Sequence, residues 1–521
     1  MTSTLASPSG PATTSPETRP GGWTPQSGWR ALAAAGLAGG AGLISALAMP
    51  RGPVTPTGVV VAVLTGAFVG IAAGYLLRSR WVMLLAPVAF VVANELARIS
   101  VVGPTVDRPN LTLFFGVLTF VLGRVLAGIL QLLPMALGAA YGAGLARRVA
   151  FGPARPHGWH RVALFSRRAV AGALAVTLLG LGFLLTRPGS TAPITGPDGK
   201  RVPGSVAELT KVRLGGHDQT VLIRARDVTK PVLLYLAGGP GQSDLGYTRA
   251  YMKGLENDVV FAVWDQRGTG TSYAALDPTS TWTLDRAVAD TVELTNYLRQ
   301  RFSHQKIYVF GNSWGTIPGV LAVQRHPELY AAFVGSGQMV SVRDTDQRIY
   351  RQVLDYAART NNPALAQRMR AWGEPPYRDI YANAFLVDYY DKIEPYTKTR
   401  YFETQGPAGI DGNGASEYGP LDKVNKLKAM IDMGRVMYPQ LQGLDFRRDV
   451  PALGVPVYLL QGGHELSARS EPAREWLAGL QAPTKQWITL ANSGHIPQFE
   501  EFDAWRQVLT GTVLPETSAP R

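Results

Sequence analysis

Two patterns of apolar residues divide this sequence. In its first third, apolar residues run almost without polar interruption over about 31–49, 57–77, 81–97, 111–146 and 169–186. Each run is near or above the ~18–20 residues that a helix needs to cross ~30 Å of hydrocarbon. None alternates with a polar face as a helix of a soluble domain does, so the pattern predicts membrane spans. Their Gly and Ala content favours close helix–helix approach. From Val206 the pattern changes to short β-branched and aromatic runs separated by turn residues. Strands are predicted at 206–213, 220–226, Val232–Leu236, Val259–Trp264, Ile307–Phe310, Ala332–Gly335, Val457–Leu460 and Gln486–Leu490. Helical patterns intervene, notably at 285–301 and 316–326, the second stopped by His326-Pro327. Strands alternating with helices predict an α/β domain with a mostly parallel, doubly wound sheet. In such sheets chemistry collects at the carboxyl ends of the strands.

Composition adds exclusions. Charged residues make up 17% of the 521, below the usual ~25%, and too few for a chain disordered throughout. The absence of cysteine excludes disulfides, thiolate metal sites, iron–sulfur clusters and a Cys nucleophile. The formal net charge of +13 would suit a nucleic-acid partner if it were spread over the folded surface. It is not. Residues 1–190 hold 15 arginines and no lysine against Glu17, Glu95 and Asp107, a net of +12, and the remaining residues are near neutral at +1. The charge therefore speaks of a bilayer and not of nucleic acid.

Arg147, Arg148, Arg155, Arg161, Arg167 and Arg168 crowd the loop before the last apolar run, Arg78 and Arg80 separate the second and third, and Arg19 and Arg30 precede the first. Because cytoplasmic loops are enriched in Lys and Arg, the expected arrangement is a multi-pass protein of the cell membrane. Its five spans cover 29–186, its N-terminus lies inside, and everything after about residue 187 lies outside the cytoplasm. Arg51, Arg98 and Arg108 fall on the opposite face. The run 111–146, with Arg124, Gln131 and Pro134 inside it, is long enough for one tilted span or a tight hairpin. Residues 31–48 also have the form of a signal peptide, with Ala46-Leu47-Ala48 resembling a cleavage site. Glu95 and Arg98, beside Asn94, lie near a helix end, where they can snorkel or pair. Residues 1–28, rich in Ser, Thr, Pro and Gly, read as a disordered cytoplasmic tail. Residues 187–203, of similar composition, read as a linker to a soluble domain at 204–521.

Directly after the strand at Ile307–Phe310 comes Gly311-Asn312-Ser313-Trp314-Gly315. It fits the nucleophile elbow G-x-S-x-G, in which glycines flank a strained strand-to-helix turn that exposes the Ser hydroxyl. A nucleophilic serine needs a base, and the base an orienting acid. In the elbow arrangement these follow in the order Ser, acid, His. His495, just after the last strand in Ser493-Gly494-His495-Ile496-Pro497, is the base candidate. Glu465, in Gln461-Gly462-Gly463-His464-Glu465 after Val457–Leu460, is the acid candidate; Asp449 precedes that strand and stands at its wrong end. Oxyanion donors are expected from the N–H of Trp314 and of Gly239, the latter in Ala237-Gly238-Gly239-Pro240-Gly241 after Val232–Leu236. No metal and no cofactor is expected.

These residues resemble the proline iminopeptidase (prolyl aminopeptidase) branch of the α/β-hydrolases. The resemblance rests on Gly238-Gly239-Pro240-Gly241, then Asp265-Gln266-Arg267-Gly268-Thr269-Gly270-Thr271-Ser272, then Gly311-Asn312-Ser313-Trp314-Gly315-Thr316, then His326-Pro327-Glu328, over about 205–512. It implies a serine-dependent aminopeptidase that releases N-terminal proline or other residues, with Ser313, Glu465 and His495 as triad and a helical cap inserted after the sixth strand. Two departures bear on the substrate: family members usually have His where Ala237 stands, and Asp where Glu465 stands. The cap would be about 341–450, with ten of the 20 tyrosines. An aminopeptidase must also bind the substrate's α-ammonium, and the cap offers Glu374, Asp379, Asp388, Asp391, Glu394 and Glu403, of which Glu374, Asp379 and Glu403 are the candidates. A carboxylesterase or lipase on the same fold would need no such anchor. A membrane protein whose hydrolase-like domain only binds a ligand would not need the complete triad. The expected partners are thus a peptide or ester substrate and the lipid bilayer.

Overall fold

The computed structural model describes residues 25–99, 111, 114–152, 158–377, 380–397 and 415–518. Among its described residues the N-terminal region forms helices α1 (Pro25–Ala48), α2 (Pro56–Leu77), α3 (Val82–Ala97), α4 (Phe114–Ala127), α5 (Leu133–Phe151) and α6 (Trp159–Leu185). Residues 25–28, which composition assigned to a disordered tail, already belong to α1; the rest of that tail lies outside the described residues.

From Phe114 on, the apolar run at 111–146 forms no hairpin. α4 and α5 join through a π-turn at Gly128–Leu132, in which the Leu133 N–H donates to Gly128 O, five residues back. Pro134 explains the widened turn: it has no N–H to give and its ring crowds the carbonyl four residues earlier, so the ladder shifts without breaking. α2 packs along α5 through glycines on both helices. A Cβ at Gly70 would meet Met135 O at 2.0 Å, and one at Gly142 would meet Ile71 O at 2.1 Å. This is the close backbone approach that the small residues permit.

Among the described residues four helices are long and apolar enough to cross a membrane, Gly28–Ala48, Pro56–Leu77, Gly116–Phe151 and Trp159–Leu185. α3 is shorter, with 16 residues. It nevertheless runs between the same two ends as its neighbours. At one end Arg98, just past α3, donates through Nη2 to Pro50 O in the α1–α2 turn. At the other, Arg147 Nε donates to Arg78 O at 2.6 Å. The helices therefore alternate in direction, with 78–80 and Arg147 at one end, and 50–52, Arg98 and the close of α6 at the other.

The second region is built on one eight-stranded sheet of order β1-β2-β4-β3-β5-β6-β7-β8. Its strands are β1 (Val206–Leu214), β2 (His217–Ala225), β3 (Val232–Leu236), β4 (Val260–Trp264), β5 (Ile307–Asn312), β6 (Tyr330–Ser336), β7 (Val457–Gly462) and β8 (Lys485–Leu490). β1 and β2 are antiparallel to their neighbours, and every pairing from β4 to β8 is parallel. The expected eight strands all occur. α7 (Leu245–Tyr251) follows β3, and α8 (Leu284–Phe302) and α9 (Thr316–Arg325) occupy the two helical patterns. Both faces of the sheet are covered: Leu234 and Leu236 of β3 join one apolar cluster, Leu233 and Tyr235 the other. This is why the central strands read as unbroken apolar runs.

Between β6 and β7 lies a helical insertion with α10 (Val342–Arg359), α11 (Pro363–Trp372), α12 (Ile380–Val387), α13 (Tyr390–Ile393) and α14 (Pro420–Met437). Residues 190–192 of the segment read as a linker are hydrogen-bonded to this domain. Ser190 N donates to Ser416 O at 2.7 Å, Thr191 Oγ1 to Glu417 Oε1 at 2.9 Å, and Arg224 Nη1 to Ala192 O at 2.7 Å. Composition alone could not show these partners, which are remote in sequence.

The two regions meet at α14. Arg51, in the α1–α2 turn, is buried and pairs with Asp277 at 2.7 Å and with Asp432 of α14 at 3.2 Å. Tyr273 OH also donates to Asp432. Asn425 Nδ2 donates to Val54 O at 2.9 Å, and Lys428 Nζ to Arg51 O at 3.1 Å. Leu421 completes the contact by packing with Val59, Leu130 and Leu185.

Candidate active site

β5 ends at Asn312, and the chain turns at Ser313, whose φ of +51° is unusual for a residue with a Cβ. Two glycines make the turn possible. A Cβ at Gly311 would come within 2.7 Å of Gly315 O, and one at Gly315 within 2.1 Å of Leu236 O. The strained backbone thus holds Ser313 at the carboxyl end of the sheet, ahead of α9. Thr316 Oγ1 fastens the turn by donating to Ser313 O at 2.6 Å and accepts from Met339 N at 3.1 Å.

Glu465 and His495 arrive from the ends of β7 and β8. His495 Nδ1 lies 2.5 Å from Glu465 Oε2. The other carboxylate oxygen accepts from the Leu466 N–H at 3.0 Å and Arg469 Nη1 at 3.4 Å. Burial disfavours the Glu465 charge, yet His495 and Arg469 outweigh it and hold the carboxyl down to about 2. The His495 loop is tied to the elbow, because Asn312 Nδ2 donates to His495 O at 3.3 Å and to Ser336 O at 3.2 Å. Gly337, at φ +56°, leaves room for the imidazole, since a Cβ there would stand 2.7 Å from His495 Cε1. Among the described hydrogen bonds none joins the Ser313 hydroxyl to His495; the Asn312 side chain ties the two segments together.

The glycine loop after β3 lies against the elbow. A Cβ at Gly238 would be 3.3 Å from Ser313 Cβ and 3.2 Å from Asn312 Oδ1. Gly239 has φ +117°, and Gly241 φ +107° with Ala429 O of α14 only 2.5 Å from where a Cβ would be. Gln266 braces this loop to the turn: Trp314 Nε1 donates to Gln266 Oε1 at 2.9 Å, and Gln266 Nε2 to Ala237 O at 3.2 Å. Its neighbours secure the brace. Asp265 is fully buried and accepts from Thr271 N at 2.9 Å, Thr271 Oγ1 at 2.8 Å and Tyr418 OH at 3.3 Å. Burial nevertheless pushes its carboxyl up to about 6. Arg267 Nε donates to Ala275 O at 2.6 Å while its guanidinium lies over Trp282. The Asp-Gln-Arg-Gly run is thus scaffold for the site.

A cavity of about 250 Å³ opens between this loop and the insertion, lined by Gly239, Ser313, Trp314 and side chains of α10, α12 and α14. Its carboxylate is Asp346, a residue the sequence did not single out. Asp346 is 5% exposed and accepts from Tyr438 OH at 2.8 Å and Asn383 Nδ2 at 3.2 Å. Burial raises its carboxyl to about 6, against those two hydrogen bonds and the Arg469 charge. The signal was present: along α10 the buried positions Val342, Thr345, Asp346, Ile349, Tyr350 and Val353 follow helical spacing, and Asp346 lies within that stripe. Glu374 is exposed and does not line the cavity. Asp379 and Glu403 lie outside the described residues. Glu394 is engaged elsewhere, accepting from Ser467 N at 2.9 Å and Gln352 Nε2 at 2.9 Å. Among the described residues no cluster of His, Asp and Glu could hold a metal ion.

Known proteins match this region. A probable aminopeptidase of Bacillus subtilis strain 168 is 28% identical over 299 residues, which cover 57% of this chain and 93% of that protein. A probable proline iminopeptidase of Leptolyngbya boryana is 34% identical over 101 residues, 19% of this chain and 28% of that one. The crystal structure of a proline iminopeptidase-related protein from Thermus thermophilus aligns with 60% of this chain and 98% of its own, at 18% identity and a TM-score of 0.44. The family model for the alpha/beta hydrolase fold matches residues 231–502, more than half of the chain and all of the sheet from β3 to β8. By that match, the chain belongs to the alpha/beta hydrolase fold family.

Proposed function

We propose that this hydrolase is a membrane-anchored serine aminopeptidase, with Ser313 as nucleophile. In this reading Ser313 Oγ attacks the carbonyl of the N-terminal residue, and His495 takes the hydroxyl proton and returns it to the leaving amine. Glu465 fixes the imidazole tautomer through Nδ1 and stabilises the imidazolium. The N–H groups of Trp314 and Gly239 receive the oxyanion. Water then attacks the acyl-enzyme by the same proton route. In this reading the hydrogen bond from Ser313 Oγ to His495 Nε2 forms when substrate fills the site, since catalytic hydrogen bonds commonly reach their working geometry only in the complex.

The observation that carries the aminopeptidase reading over an esterase is Asp346. A buried carboxylate on the wall of the same cavity as Ser313 offers the counter-charge that an α-ammonium needs, and a neutral acyl ester has no use for it. The names of the relatives from Bacillus and Leptolyngbya support the same substrate class. The test compares prolyl or alanyl arylamides with their N-acetylated forms. Asp346→Asn is expected to raise KM at least tenfold for the free-amine substrates alone; equal effects on both would overturn the reading.

We further infer that the hydrolase domain is extracytoplasmic. It sits at the helix ends opposite Arg78, Arg80 and Arg147, and the arginine-rich end is the cytoplasmic one by charge. Protease added to intact cells should remove the domain, and full protection would reverse the orientation.

A further inference from the structure

The hydrolase domain keeps its large apolar side chains covered, with one local exception. Among its described residues, the substantially exposed large hydrophobics are Val387 (50%), Leu427 (38%) and Met430 (51%). They occupy only two helices, α12 and α14, and Val387 and Met430 also line the Ser313 cavity. These two helices are the parts of the insertion against which α4 packs. α4 continues the exposed apolar surface with Phe114, Val117 and Val121. The rim of the cavity is therefore apolar and contiguous with a helix whose outer surface suits lipid. An exposed apolar patch rimming a cleft marks the place where an apolar partner enters.

The cavity also has a gradient of depth. Asp346 is buried, Ser313 is partly exposed, and Val387 and Met430 are half exposed. The wall between is apolar, with Ile317, Met339, Val342, Ile380 and Leu441. For a substrate with its ammonium at Asp346 and its carbonyl at Ser313, the most exposed apolar part of the lining is Val387 and Met430, on the two helices that α4 contacts. We propose that the substrate is a membrane-resident amphiphile: an aminoacyl group joined by an amide or ester bond to a long hydrocarbon chain that remains in the bilayer. Ser313 Oγ forms the new acyl bond as the bond to the lipophilic amine or alcohol breaks, and the leaving group takes its proton from His495. Water releases the amino acid and restores Ser313. This inference rests on the aminopeptidase reading and narrows it to substrates reached from the membrane.

The experiment uses the full chain in lipid nanodiscs with alanyl amides and esters of hexadecyl, butyl and methyl leaving groups. Wild type should show kcat/KM at least tenfold higher for the hexadecyl than for the methyl compounds, since each buried methylene contributes favourably. Met430→Gln and Val387→Gln should each lower that chain-length ratio severalfold. Retention of the ratio in both variants, or no chain-length preference in wild type, would overturn the lipid-borne substrate while leaving an aminopeptidase intact. Hydrolysis of none of these compounds, in a protein still labelled at Ser313 by a fluorophosphonate, would overturn both. A stable dimer in the nanodisc that Met430→Gln dissociates would assign the patch to a second copy and overturn the proposal as well.

Discussion

Replacing Glu465 by Gln removes one charge from a side chain that is 2% exposed and keeps its shape. The Glu465 carboxyl falls from 4.5 to about 2 against the opposing effect of burial. At ~1.4 kcal/mol per pH unit, that fall corresponds to roughly 3 kcal/mol of net stabilisation of the charge by His495 and Arg469 after the cost of burial. If half to all of it is felt when His495 becomes charged in the transition state, kcat drops about 10–10²-fold. A Gln amide that donates to Nδ1 also enforces the wrong tautomer, which raises the expected loss to as much as ~10⁴-fold. The assay is steady-state hydrolysis of alanyl arylamide, with fluorophosphonate labelling rate as a second readout. KM should change little, and Glu465→Asp should recover part of kcat because the charge returns. The sign of the stability effect also follows. A carboxyl held below its ordinary value contributes stability above about pH 4.5, and that contribution is lost as pH falls through about 2. The Gln variant, folded by circular dichroism, should therefore be less stable than wild type at neutral pH and no less stable near pH 2. A kcat within threefold of wild type would refute the role given to Glu465.

Other consequences are independent of this one. Asp346 carries its charge above about pH 6, so KM for free-amine substrates should rise as pH falls through that value, and Asp346→Asn should abolish the rise. Arg51→Met leaves Asp432 buried without its guanidinium, a loss of roughly 3–5 kcal/mol for a broken buried pair. In detergent its thermal unfolding should begin at lower temperature, with activity falling in parallel because α14 walls the cavity; unchanged melting would remove Arg51 from the domain contact. Gly70→Leu places a side chain where Met135 O already stands 2.0 Å from a Cβ, so the helical region should lose stability while Ser313 labelling persists. Equal loss of both would contradict separable roles for α2–α5 packing and the hydrolase core.

Much of the fold was legible because the two apolar patterns differ in kind. Strands covered on both faces read as continuous runs, and membrane helices as long ones. The site was legible where chemistry forces local sequence: Gly311 and Gly315 around Ser313, and Gly239 and Gly241 in the loop after β3, are dictated by backbone atoms within 3.0 Å of where a Cβ would stand. Asp346 and Arg51 were missed for a different reason. Asp346 sits among charged neighbours in Arg343-Asp344-Thr345-Asp346, so its burial shows only in the helical phase of α10. In the sequence Arg51 stands only as an arginine of the opposite face, and its partners Asp277 and Asp432 lie 226 and 381 residues away. Arg98 is likewise bound, to Asn94 and Pro50 O. Such pairs explain how arginines can occupy the end of the helices that the charge rule reserves for few of them. The helical continuity of 114–151 was undecidable from composition, because Pro134 signals a break as readily as a π-turn.

Every proposed step depends on Ser313 as the nucleophile. The direct measurement is labelling of membranes by a fluorophosphonate, comparing wild type with Ser313→Ala and locating the adduct by mass spectrometry. A covalent adduct on Ser313 in wild type, with none in a Ser313→Ala protein that is folded and equally abundant, is the predicted result. Equal labelling of the two, or no adduct on Ser313 in a folded wild type, would contradict it.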